Sequence, residues 1–397
     1  MKRRRPNNRG NQKATDLQRD ADSLLFELTR LQDAPIGVVF AKLEEGLAFT
    51  RSAFSSGGLQ ALHFEAFVSQ VRTMMQILPA QFDVRFLFDA QMLQAIRDSW
   101  NGGQQKLSNM IIPCLGDEWS HQRAFLPEVR KADEPNLVIN LIHFPRSHSS
   151  DDIDLLSYPF LCHELAHNLY FYDDSFFTQC SDKKLDDFLA KLRLRSISDS
   201  GAAKTRNKQL RGEIETYWRT TPNHDNWAHE IAMDVVALWT CGPAYLAAFC
   251  DETDDEQTNW FLIGKEHPPY TARSTALIYA SQQLGWKQEA ADIEQMFKRW
   301  RRSKHRIHID NHYIALTEPR LIEACVDCVL ENCRSQNLPR CNQSEVKRVR
   351  QLLIKGETPD WGTELIIAAW LKHKIDERGY ESWQSAVIRD LQDSLTQ

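Results

Sequence analysis

Two histidines four residues apart lie inside an apolar stretch, Leu161–Tyr170, LCHELAHNLY. The spacing restricts the backbone. Residues i and i+4 of an α-helix lie one above the other on one face, so His163 and His167 on a helix would point both ring nitrogens at one place. The sequence just upstream suits a helix start, with Ser157 as a candidate N-cap and Pro159 in the first turn. Glu164 directly follows the first histidine, where a carboxylate could take a proton from a metal-activated water. The competing reading is two histidines that merely share a helix face. A hydrolytic metal ion needs three protein ligands and an open position, so a third ligand elsewhere in the chain separates the two.

Two positions compete for that role. Asp173 follows His167 by six residues, the spacing of the last ligand in the metzincin pattern. That pattern needs a glycine where this chain has Tyr170, and a bulky side chain there resists the left-handed turn required. The better candidate is Glu230 in NWAHEIAMDVVALW (Asn226–Trp239), an apolar helical segment with Glu230 and Asp234 four apart on one face. Buried carboxylates are costly unless paired or bound to metal. Glu230 as ligand and Asp234 as an acceptor from a ligand histidine would supply the reason. His229 is adjacent, but it points about 100° away from Glu230 around the helix.

A third block, EHPPYTARSTALIYA, carries His267 and Arg273. In order, His-Glu-x-x-His, Glu-x-x-x-Asp and His-Pro-Pro-x-x-x-Arg resemble the gluzincin metallopeptidases, most closely the CAAX prenyl endopeptidases and heat-shock membrane zinc endopeptidases. The resemblance covers roughly residues 155 to 280. It implies one catalytic Zn2+ held by His163, His167 and Glu230, with Glu164 as general base and Asp234 orienting a ligand. His267 and Arg273 would order the site or hold the oxyanion, with Tyr270 a further candidate for the oxyanion. Met233 stands where the family usually has alanine, and the chain lacks the family's membrane-spanning runs.

The longest apolar runs, ELIIAAWL and VVALW, are far short of the roughly 20 residues that span a bilayer. The basic N-terminus MKRRRPNNRGNQKATD is followed by no apolar stretch, against a secretory signal. A net charge of -6 argues against a wholly basic nucleic-acid binder. Nine cysteines without a regular framework suggest reduced thiols and a cytoplasmic protein. Cys325, Cys328, Cys333 and Cys341 offer partial zinc spacing, but LIEACVDCVLENC reads as helix. Cys162 would point off the metal face and pack in the core.

The expected fold is α+β and predominantly helical, with a zincin-like core, a small β-sheet and extra helices at both ends. NLVINLIHFP (Asn136–Pro145) is the clearest strand and would belong to the sheet over the His163 helix. Residues 1–14 are expected as a disordered basic arm, 15–110 as a helical region, 111–300 as the core and 301–397 as a second helical region. Within the core, LRLRSISDSGAAKTRNKQLRG (192–212) is expected as a mobile loop acting as a lid or a contact for an acidic partner.

The function expected is a zinc-dependent endopeptidase acting on a protein or peptide, with no membrane partner. The alternatives are a zincin-like scaffold or regulatory subunit without turnover, and a zinc hydrolase working with nucleic acid. The basic segments 2–13 and 298–306 would take that nucleic acid or an acidic partner. The intact Glu164 argues against the scaffold, which has no use for a base.

Overall fold

Apolar residues recur at helical spacing through most of the chain, and the protein is predominantly helical. The structure, a computed structural model, describes residues 8–31, 44, 47–48, 50–56, 64–65, 68–69, 71–72, 86–101, 110–116, 119–125, 138–145, 153–172, 183, 185–190, 201–219, 226–253, 260–264, 267–302 and 311–395. The chain forms two compact units, one of residues 1–87 and 108–151 and the other of 88–107 and 152–397.

In the first unit, α1 spans Asn8–Leu31 and buries Leu17, Ala21 and Leu24, three and four residues apart. It starts at Asn8, so residues 8–14 are helical where an unstructured arm was expected; residues 1–7 lie outside the described set. Arg51 and Arg72 pair with Asp22 and Asp20 at 2.7 and 2.9 Å. Such exposed pairs contribute about 0–1 kcal/mol each, so the buried stripe does most to hold α1. Beyond α2 (Phe86–Asn101) come β1 (Met110–Gly116), β2 (Ser120–Phe125) and β3 (Val138–Pro145). They form one sheet in the order β1-β3-β2, with β3 parallel to β1 and antiparallel to β2. Leu141 of β3 faces Ile112 on one side and Gln122 on the other, and Trp119 packs on Phe144 at 4.8 Å between ring centres.

The second unit holds most of α2 and then α3 (Pro159–Tyr172), α4 (Gly201–Trp218), α5 (Trp227–Cys241), α6 (Pro243–Thr253), α7 (Tyr270–Leu284), α8 (Lys287–Arg302), α9 (Asn311–Leu316), α10 (Pro319–Ser335), α11 (Gln343–Lys355), α12 (Thr363–Ile375) and α13 (Glu377–Leu395). Helix α5 is its axis. It is mostly apolar, and all its residues are buried. Helices α3, α6, α7, α10 and α12 pack around it. Each fully buried aliphatic such as Ile231, Val235 or Leu238 contributes about 1.5–3 kcal/mol, which offsets the polar groups the helix also buries. The Asn226 side chain accepts from the His229 N–H at 3.0 Å and caps the helix start.

At the far end of α5, Gly242 has φ +57°, and a Cβ there would lie 2.6 Å from Cys341 Sγ. Both the backbone angle and the space require glycine. Pro243 then opens α6, which turns back against α5.

Residues 201–212 also depart from expectation. They form the first two-thirds of α4 and not a loop. Ala202 and Ala203 are good helix formers, Arg211 reaches Glu215 at 3.3 Å across one turn, and buried Ile214 and Trp218 anchor the helix four residues apart. Residues 191–200 lie outside the described set. Of the basic segment 298–306, residues up to Arg302 belong to α8, where Lys298 reaches Glu294 at 3.4 Å. Among the described residues, no helix is long and apolar enough to cross a membrane.

Asp89 of α2 is buried and accepts a hydrogen bond from Tyr158, just before α3. Burial lifts its carboxyl to about 7, and the Tyr158 bond opposes part of that rise. Between pH 4 and 7 the unfolded chain therefore releases a proton that the folded one keeps, and stability falls as pH rises, by on the order of 1 kcal/mol per pH unit. Asp89→Asn lacks this titration, so its stability relative to the parent should climb from pH 5 to 7. Urea midpoints at pH 5, 6 and 7 check this; a constant offset between the two proteins would contradict it.

Candidate metal centre

Helix α3 begins at Pro159, and the Ser157 hydroxyl donates back to the Asp154 carbonyl at 2.9 Å. Leu161 and Leu165 are buried on the side of the helix opposite His163 and His167, and α3 packs on α5. Their ring centres are 5.2 Å apart. Helix α5 brings Glu230 to the same place. One ligand atom from each of His163, His167 and Glu230 lies within 4.8 Å of the others, and all three side chains are buried. Glu230 Oε2 is 3.6 Å from His163 Nε2, and Oε1 is 3.8 Å from His167 Nε2. These residues form a buried group able to hold a metal ion.

The surroundings fall into two layers. Glu164 Oε2 lies 3.9 Å from His167 Nε2. His267, in the turn before α7, has Nδ1 3.2 Å from Glu230 Oε2 and a side chain 69% exposed, so it forms the rim. Behind His163, Asp234 Oδ1 lies 3.0 Å from Nδ1. Arg273 of α7 clamps Asp234 with two bonds, Nε to Oδ2 at 2.8 Å and Nη2 to Oδ1 at 2.6 Å. Arg273 thus directs two bonds at Asp234. Tyr270 lies against the Arg273 guanidinium, 5.6 Å from its ring centre, and beside Phe249 and Trp260.

Sequence reasoning overlooked Tyr245 of α6. It is fully buried, donates to Asp234 Oδ1 at 2.5 Å and lies 3.3 Å from His163 Nδ1. In CGPAYLAAFC it reads as one more apolar position, and no motif spacing marks it.

The charges are consistent with a cation site. Burial works against ionisation throughout, yet the His163 and His267 contacts hold Glu230 well below the usual carboxylate range. Arg273 likewise brings Asp234 down to about 2 despite burial. Burial would lower His163, but Asp234 and Glu230 outweigh it and raise the ring to about 10. The bond to Glu230 lifts His267. Glu164 behaves differently: burial pushes its carboxyl up to about 7, opposed by His163 and assisted by Glu230. Arg273 balances Asp234, which leaves Glu230 to be balanced by positive charge at the histidines.

Other candidates do not join the centre. His229 is buried with its ring edge-on to His167 at 4.9 Å, outside the ligand group. Asp173 lies outside the described residues. Cys162 is buried with its sulfur 3.1 Å from that of Cys241, both as thiols, and it packs α3 on α5. Cys325, Cys333 and Cys341 are buried thiols, whereas Cys328 is disulfide-bonded, against the expectation of reduced cysteines throughout. Among the described residues, these cysteines form no ligand group.

Compared with known proteins, the chain matches no protein-family model, no curated protein and no solved structure.

Proposed function

We propose that the centre holds one zinc ion and that the protein is a zinc-dependent endopeptidase of the gluzincin type, with a zincin-like core. The observation that carries this is the convergence of His163, His167 and Glu230 from two helices onto one buried point, with the Glu164 carboxylate beside it. Two imidazoles and a carboxylate are the donor set of catalytic zinc sites, whereas structural sites favour thiolates and close the fourth position. Tetrahedral zinc with bonds near 2.0–2.1 Å places its ligand atoms about 3.3 Å apart. Each Glu230 oxygen comes near that distance from one histidine, Oε2 at 3.6 Å from His163 Nε2 and Oε1 at 3.8 Å from His167 Nε2. The order of the three sequence blocks supports the same reading.

Zinc bound there would supply a Lewis acid that activates water and polarises the substrate carbonyl. The chain's own residues do the rest. Glu164, lifted by burial to about 7, takes a proton from the attacking water near neutral pH and passes it to the leaving amine. Asp234 holds His163 through Nδ1, and Arg273 holds Asp234. His267, on the exposed rim beside Glu230, would meet the substrate carbonyl oxygen.

Metal analysis of the purified protein tests the ligand set. Glu230→Ala should weaken zinc binding by more than the 10–100-fold typical of losing a partner behind a ligand. Asp173→Ala should leave zinc bound. The reverse pattern would replace the gluzincin arrangement with a metzincin-like one.

A further inference from the structure

We infer that Tyr245 is a positioning residue of the metal centre: its hydroxyl fixes which nitrogen of His163 carries the proton, and so which one faces the ion. This rests on the zinc reading above and extends it to a residue outside every motif block. Tyr245 lies on α6, and its side chain is completely buried. A phenol in such a place needs a partner for its O–H. It has one in Asp234 Oδ1 at 2.5 Å, the same oxygen that lies 3.0 Å from His163 Nδ1.

The Tyr245 hydroxyl has one proton, and the 2.5 Å contact spends it on Asp234. It therefore cannot also donate to His163 Nδ1, 3.3 Å away. Both oxygens of Asp234 already accept from the Arg273 guanidinium, Oδ2 at 2.8 Å and Oδ1 at 2.6 Å, so Asp234 faces His163 as an acceptor. His163 Nδ1, facing an acceptor and a hydroxyl whose proton is already committed, must be the N–H donor. In the neutral ring the lone pair then resides on Nε2, the atom 3.6 Å from Glu230 and within the ligand group. The Tyr245 ring lies nearly parallel to that of His163, at 12°, with ring centres 6.4 Å apart.

Helix α6 makes this placement with two residues on one face. Four residues beyond Tyr245, the Phe249 ring lies 5.4 Å from the Arg273 guanidinium carbon. The same helix thus supports two of the three groups that touch Asp234, Tyr245 and Arg273.

The test is zinc affinity by competition with a chelating dye, together with the visible spectrum of cobalt(II)-loaded protein. Tyr245→Phe should bind zinc about 10–100-fold more weakly and shift the cobalt spectrum. Phe160→Leu, which alters the ring edge-on to Tyr245 at 5.9 Å but no hydroxyl, should stay within about threefold of the parent. Because Tyr245 acts through Asp234, Tyr245→Phe should add nothing in an Asp234→Asn background. Tyr245→Met, which also lacks the hydroxyl, replaces the Phe variant if that one fails to fold, with the same expectation. Zinc affinity of the hydroxyl-free variant within about threefold of the parent, or an equal loss in the Asp234→Asn background, would overturn the role of Tyr245 and leave the zinc reading intact. A parent protein that binds no zinc would overturn both.

Discussion

Glu164→Gln should keep its fold and its zinc but lose peptide hydrolysis by 10²–10⁴-fold, about 3–5 kcal/mol of barrier. Glutamine preserves the shape of the side chain and its contacts beside His167 while removing the group that accepts a proton. Glu164 is not one of the three residues whose ligand atoms converge, so metal content should be unaffected. A carboxyl lifted to about 7 costs stability when ionised, so a neutral amide there should not weaken the fold. Turnover of an unfolded casein-type substrate, metal content and melting temperature measured on one preparation separate these effects. Unchanged turnover would remove Glu164 from the mechanism.

Arg273→Ala should be among the most destabilising single substitutions in the protein, by about 3–5 kcal/mol. Asp234 is completely buried in the middle of α5, and Arg273 supplies both of its charge-balancing bonds. Without the guanidinium, a buried carboxylate would keep only Tyr245 and His163 as partners. Arg273→Lys should fall between the parent and the alanine variant, because an ammonium restores the charge but not the planar two-bond fork. Denaturant midpoints of the three proteins with metal chelated check the order. A loss under about 1 kcal/mol for Arg273→Ala, the range of an exposed ion pair, would mean that Asp234 finds another counter-charge.

Sequence alone went furthest where spacing and chemistry agree. His163 and His167 are four apart, Glu230 is a carboxylate in an otherwise apolar helix, and the structure brings the three together. The largely helical character was readable from periodicity in the same way. It failed where composition misleads. The stretch 201–212 is polar and basic, which resembles a loop, but its helix is fixed by Ile214 and Trp218 just beyond, and those lie outside the polar window. Residues 8–14 were misread for the same reason, since α1 draws its stability from Leu17 onward. Tyr245 was unreadable on different grounds. Its role depends on how α6 folds back after Gly242, and no local pattern states where a buried hydroxyl will point.

The segment from Cys325 to Cys341 gives α5 its outer wall, and this limits how the protein can be trimmed. The Cys341 N–H donates to the Trp239 carbonyl at 2.9 Å, the Trp239 indole donates to the Leu338 carbonyl at 3.0 Å, and Cys325 Sγ lies 3.7 Å from the Ala228 carbonyl oxygen. All three motif blocks end before α8, so a shortened version cut there would look complete by motif. It would nonetheless strip the covering from the helix that carries Glu230 and Asp234, baring Trp239 and its neighbours to water and removing the sulfur that fills the space beside Gly242. The smallest excisable piece that keeps the centre intact must therefore run through Cys341, far beyond the last residue that touches it.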